Sequence, residues 1–178
     1  GMQTVYDVDT DGTGPDVATP VKVPVFATEA FPTPLDPESL TDDLGLYTSI
    51  AVDASGVIHI AYYNRTKGAL KYARKSGATW TYTQLDGGDP VNGNDKGFGT
   101  SIAVSGPKVG IAYFDLSYAN LLFKESLDGG VNFPSGTGTV LDGSPSDDIG
   151  RSPSIAYDDS GNIGIAYWDS THGSLKFI

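Results

Sequence analysis

Three residue combinations in this chain have the chemistry for ligand work, and two of them occur three times. An Asp-x-Gly triplet stands at Asp43-Leu44-Gly45, Asp95-Lys96-Gly97 and Asp148-Ile149-Gly150. An aromatic residue followed by an amide or carboxylate stands at Tyr63-Asn64, Phe114-Asp115 and Trp168-Asp169. Carboxylates beside aromatic faces suit sugars, because apolar ring faces stack and hydroxyls need fixed acceptors. The same types also serve structure, since Asp-x-Gly is turn chemistry and aromatics fill space. Recurrence in every copy favours that structural role. The third combination is Asp7-Val8-Asp9-Thr10-Asp11-Gly12 with Asp16. Alternating carboxylates ahead of a bend-permitting Gly resemble an oxygen-rich calcium loop, so Asp7, Asp9, Asp11 and Asp16 form the candidate metal set. Ala18 stands where an EF-hand carries its bidentate Glu, which excludes that motif.

The remaining chemistry is sparse. His59 and His172 are the only histidines and Cys is absent, which disfavours zinc and rules out disulfides and thiol nucleophiles. Asp169-Ser170-Thr171-His172 holds triad residue types, but adjacency in a loop does not make a triad. Asp-Gly-Gly at Asp86–Gly88 and Asp128–Gly130 reads as turns rather than a phosphate loop.

The elements that must position these residues come from an internal repeat. Ser49 to Tyr72 reads SIAVDASGVIHIAYYNRTKGALKY, Ser101 to Phe123 reads SIAVSGPKVGIAYFDLSYANLLF, and Ser154 to Phe177 reads SIAYDDSGNIGIAYWDSTHGSLKF. A period of 52 to 53 residues means an array of supersecondary units. Within the first copy, Ile58, Ile60 and Tyr62 share one face of a strand while His59 and Ala61 share the other. The later copies set Val109, Ile111, Tyr113 against Gly110, Ala112, and Ile163, Ile165, Tyr167 against Gly164, Ala166. Strands that are large on one face and small on the other suit a sheet held between two similar sheets. No stretch carries a convincing helical period, so helix should be nearly absent. Four antiparallel strands per unit at a fixed period predict an all-β fold, a β-propeller with three four-stranded blades per chain.

Here the chain resembles the sialidase-like propellers with Asp-box repeats. Ser126-Leu127-Asp128-Gly129-Gly130-Val131-Asn132-Phe133 fits the box, Ser/Thr-x-Asp-x-Gly-x-x-Trp/Phe, and the resemblance covers about residues 44–178. In that family the box is a structural turn away from the active face, so the resemblance implies no catalytic role for it. Arg151-Ser152-Pro153 is similar to the family's Arg-Ile-Pro, whose arginine binds a substrate carboxylate; the middle residue differs, and the other copies lack the arginine. The family's arginine triad, nucleophile pair and acid cannot be matched with only Arg65, Arg74, Arg151 and three Glu residues. A surface arginine is the preferred reading of Arg151.

Three blades do not close a ring. The expected division is a closing strand at 3–9, a proline-rich arm at 10–43, blades at 44–95 and 96–148, and a third at 149–178 without its own fourth strand. Gln3–Asp9 resembles Trp80–Asp86 and Thr137–Asp142, so it is expected to complete the last blade of a second copy. The result would be a homodimer forming one six-bladed ring; the rival expectation is a piece of a longer protein. Six of the eleven prolines lie between Pro15 and Pro37, which predicts an extended or edge segment there.

A net charge of −11, from 22 acidic and 11 basic residues, disfavours nucleic acid and anionic membranes as partners. No apolar run is long enough to span a bilayer. Acidic, Cys-free, Gly- and Tyr-rich composition is common in exported bacterial β-proteins, so a secreted or cell-surface location is expected on composition alone. The leading functional expectation is a non-catalytic module that binds a glycan or surface ligand through Asp43, Tyr63, Asn64, Asp95, Phe114, Asp115, Asp148, Arg151, Trp168 and Asp169. A sialidase-like glycoside hydrolase and a structural or adhesive segment are the alternatives.

Overall fold

The computed structural model describes residues 2–6, 20–24 and 35–178. The chain divides into two units, Gly1–Leu35 and Asp36–Ile178. In the first, strand β1 (Met2–Tyr6) pairs antiparallel with β2 (Pro20–Pro24), from Met2 opposite Pro24 to Tyr6 opposite Pro20. The prolines sit at the two ends of β2, where a missing N–H costs a two-stranded ribbon least. In this pairing Gln3 lies opposite Val23, so residues 2–6 have a strand partner within their own unit.

The second unit opens with a short 3-10 turn, Pro37–Leu40, capped by the Asp36 side chain. It then contains three meanders, each made from contiguous chain. The first sheet is β3 (Leu44–Val52), β4 (Ile58–Asn64), β5 (Ala69–Ser76) and β6 (Thr79–Gly87). The second is β7 (Lys96–Ser105), β8 (Lys108–Asp115), β9 (Asn120–Ser126) and β10 (Thr139–Asp142). The third is β11 (Ile149–Tyr157), β12 (Ile163–Asp169) and β13 (Ser174–Phe177). Among the described residues helix is confined to 3-10 turns at Pro37–Leu40 and Pro90–Asn92, and none is long and apolar enough to cross a membrane.

The turns follow from the sequence. Asp53 accepts the Ser55 and Val57 amides on Oδ1 at 2.8 and 2.9 Å, and Asp158 repeats this for Ser160 and Asn162 at 2.9 and 2.8 Å. The side-chain acceptor thus replaces backbone acceptors that the turn leaves out.

Packing follows the two-faced strands. Ala61, Leu70 and Tyr72 of the first sheet form one core with Ile102, Val109, Ile111, Tyr113 and Leu122 of the second. The opposite face of the second sheet supplies Ala112 and Leu121 to another core with Ile149, Ile155, Ile165 and Tyr167. A Cβ on Gly110 would lie 2.5 Å from the Tyr157 hydroxyl oxygen, so the small face is small because the next sheet's large residues enter it.

The propeller expectation does not hold. Among the described residues the second unit holds three separate antiparallel sheets of four, four and three strands, uneven and with no closed arrangement. The repeat encodes how one sheet meets its neighbour, and that local rule is satisfied by a stack that ends in free faces.

Candidate functional site

The predicted site residues fall into three structural jobs. Asn64, Asp115 and Asp169 end the second strand of each sheet, and all three are buried. Their side chains lock the following turn: Asn64 Oδ1 accepts from Lys67 N at 2.9 Å, Asp115 Oδ1 from Ser117 N at 2.9 Å, and Asp169 Oδ1 from His172 N at 3.0 Å. Burial pushes the Asp115 carboxyl up, against the pull of Lys96 Nζ at 3.7 Å. These groups are spent on structure.

The Asp-x-Gly triplets clamp the same turns from the other side. The carbonyls of Asp43, Asp95 and Asp148 each accept an amide, from Arg65, Leu116 and Ser170, all at 2.9 Å. Their own amides donate to Thr66 Oγ1, Ser117 Oγ and Thr171 Oγ1 at 2.8, 2.9 and 2.7 Å. With Thr171 so used, and the Ser170 hydroxyl donating to the Asp148 carbonyl at 3.1 Å, the Asp169–His172 loop holds no poised nucleophile.

The side chains of the triplets then diverge. Asp43 faces Arg65 Nη1 loosely at 3.6 Å, and Asp95 Oδ1 accepts the Tyr63 hydroxyl at 2.7 Å. Asp148 grips Arg151 through Nε at 2.8 Å and Nη2 at 2.7 Å. The Arg151 guanidinium also lies 4.8 Å from the Phe114 ring centre, so both its charge and its flat face are taken within the protein.

Where a sheet follows, the aromatic of each pair is covered. Tyr63 and Phe114 are buried, Tyr63 against Phe98 at 6.2 Å and Phe114 against Phe98 at 6.4 Å. Trp168 has no following sheet and is 47% exposed. The expected ten-residue face is therefore not a single surface.

Between the first and second sheets it does leave a cleft of about 610 Å³, lined by Leu46, Tyr47, Tyr63, Arg65, Asp95, Phe98 and Leu116. Tyr47 forms its most accessible aromatic wall, 44% exposed with its ring centre 4.1 Å from that of Phe98. Its φ of 54° lies in the left-handed region that a bulky residue rarely adopts, and its carbonyl accepts the Thr100 hydroxyl from the neighbouring sheet. Three aromatic rings, two of them phenols, thus converge beside a carboxylate and an exposed guanidinium.

Tyr47 and Phe98 were not singled out by sequence. The available signal was position: Leu46-Tyr47, Phe98-Gly99 and Arg151-Ser152 occupy one bulge, opposite Tyr63, Phe114 and Trp168 respectively. Also unforeseen is a repeated Tyr–Asp bridge. The Tyr62, Tyr113 and Tyr167 hydroxyls donate to Asp36, Asp86 and Asp142 at 2.5, 2.5 and 2.6 Å. The recurring Leu-Asp at Leu35-Asp36, Leu85-Asp86 and Leu141-Asp142 marks it in the sequence.

Ser126–Phe133 folds as a turn braced from inside by Asp128 and from outside by Arg74, whose Nε donates to the Gly129 carbonyl at 2.9 Å. Asp128 Oδ1 accepts from the Ser126 hydroxyl at 2.7 Å and from the amides of Val131 and Asn132 at 3.1 and 2.9 Å, and these bonds hold its carboxyl down to about 2. Phe133 packs edge-on to Tyr72 at 5.0 Å. His59, from the opposite strand, is fully buried with Nδ1 2.7 Å from the Tyr72 hydroxyl, and burial holds its imidazole below the ordinary value. Asp7, Asp9, Asp11 and Asp16 lie outside the described residues. Among those described, no three His, Asp or Glu side chains gather closely enough to hold a metal ion.

Comparison with known protein families and with curated proteins returns no match, so the likeness to sialidase-type propellers carried by Ser126–Phe133 stands on those residues alone.

Proposed function

We propose that this protein is a non-catalytic recognition module, secreted or at a cell surface, that binds a glycan in the cleft between its first and second sheets. The observation that carries this is the convergence of Tyr47, Tyr63 and Phe98 with Asp95 and Arg65 around about 610 Å³ of open space. Tyr47 offers a sugar ring a stacking face, Asp95 offers acceptors for hydroxyls, and Arg65 offers donors. Strained backbone at Tyr47 suits a wall held in place before the ligand arrives. Two engaged groups speak against hydrolysis: Asp95 in the cleft already accepts the Tyr63 hydroxyl, and Arg151, outside the cleft on the third sheet, is consumed by Asp148 and Phe114. The test is a glycan array followed by calorimetry on hits. Tyr47→Ala should abolish measurable binding while leaving the circular dichroism unchanged. An array without hits, or equal affinity in Tyr47→Ala, defeats the proposal, and turnover of fluorogenic glycosides would replace it with a hydrolase. Calcium at Asp7, Asp9, Asp11 and Asp16 belongs to the same proposal. Its check is a melting temperature that rises with calcium and falls with chelator.

A further inference from the structure

Among the described residues the stack ends in two faces that the interior shows how to cover: the first is closed over Tyr62, Lys71 and Ala73 and open along β3 at Ile50 and Val52, and the last is open over Leu175 and Phe177. At each interior junction, the large face of one sheet sits on the small face of the sheet before it. The junction is stitched by one recurring bond. Ile102 N donates to Ser49 Oγ at 3.1 Å, and Ile155 N donates to Ser101 Oγ at 3.2 Å. The third members of these series, Ile50 and Ser154, lie on the two free faces.

Exposure at equivalent positions makes the contrast. Ile102 and Ile155 are 6% and 8% exposed, whereas Ile50 is 63% exposed. Leu70 and Leu121 are 0% exposed, whereas Leu175 is 82% exposed. Leu70, Leu121 and Leu175 pair with the next-to-last residue of their second strands, Tyr63, Phe114 and Trp168, so the positions correspond strand for strand. Val52 on the first free face and Phe177 on the last are exposed as well.

We infer that the free face of the first sheet docks on the free face of the third sheet of a second copy of this chain. The occupant is argued from continuity: the proposed junction repeats one the chain already makes twice. Asp36 supports the fit. Asp86 and Asp142 meet Tyr113 and Tyr167 from the fourth strand of the sheet in front, while Asp36 meets Tyr62 from within its own unit. The third sheet has only three strands, so a copy set in front of the first sheet brings no fourth strand to the place Asp36 holds. The contact joins unlike surfaces, head to tail, and leaves one free face at each end of a pair. The contacting faces are apolar while each copy carries a charge of −11, so added salt strengthens the association by screening.

Sedimentation equilibrium of the full chain with Ile50→Asp and Leu175→Asp tests this. Both side chains are exposed, so neither change disturbs a core, and Val52→Asp and Phe177→Asp serve if either variant misfolds. The wild type should exceed 18.6 kDa with rising concentration. Each variant alone should stay at 18.6 kDa, and an equimolar mixture should form a species of about twice that mass. Glycan binding in the cleft need not change. A wild type that stays monomeric at the highest soluble concentration overturns the proposal. So does a variant that associates alone like the wild type, or a mixture that remains monomeric.

Discussion

Replacing the glycine of each Asp-x-Gly triplet by alanine separates the cost of a backbone angle from the cost of a crowded junction. Gly45, Gly97 and Gly150 have φ of 91°, 106° and 108°, a region that Ala adopts only under strain. All three substitutions share that penalty, about 1–3 kcal/mol. The surroundings differ. A Cβ on Gly97 would stand 2.6 Å from Leu70 Cα, and one on Gly150 would stand 2.6 Å from Leu121 Cα, both backbone atoms of the sheet in front. Gly45 has no sheet in front, and nothing lies within 4 Å of its Cβ position. Gly97→Ala and Gly150→Ala therefore force neighbouring sheets apart, at an additional cost of about 1–3 kcal/mol. Urea unfolding followed by far-ultraviolet circular dichroism reads the difference. With a slope of roughly 1–3 kcal/mol/M, the extra term lowers the midpoint by about 1 M relative to Gly45→Ala. Equal midpoints for the three variants would refute the close-approach account and leave these glycines as turn formers only.

Four further outcomes follow from the same geometry. Tyr113→Phe removes one of the donors to the buried Asp86, whose Oδ2 keeps only the Gly138 amide, and should cost about 1.5–3 kcal/mol in thermal or urea unfolding. Tyr167→Phe should cost less, because Lys176 Nζ still reaches Asp142 and the site is wetter. Asp128 titrates near 2 when folded against an ordinary 3.8, so its stabilising effect is whole above pH 3.8 and is lost as pH falls through 2. The melting temperatures of wild type and Asp128→Asn should accordingly converge between those pH values. Ser152 has φ of 50° where the preceding repeat carries Gly99 at 61°, so Ser152→Gly should be neutral to stabilising by up to about 1 kcal/mol in urea unfolding.

The strands were legible because their side chains alternate large and small in three aligned copies, and a period of two fixes which residues share a face. The Asp-x-Gly triplets and the Asn64, Asp115 and Asp169 positions were legible as recurring features, and they lie at turns whose amides they bind. The closed ring was not legible, because local self-similarity specifies a junction between neighbours and says nothing about how a series of junctions ends. Tyr47 and Phe98 were missed for a related reason. They do not repeat in kind, and their cleft arises only where two bulges from different sheets face each other. The β1–β2 pairing was not legible either, because a short alternating run pairs with any suitable edge and nothing in its sequence names which one.

Every sheet of the second unit is spun from uninterrupted chain, and the middle one offers its neighbours the same pair of surfaces they offer each other. Such a protein can be edited like a sentence with a repeated clause. Excising residues 96–148 would bring the Ala61 face of the first sheet against the Ile155 face of the last, and duplicating them would lengthen the series by one. Evolution could change the length of this molecule by unequal recombination without designing a new contact.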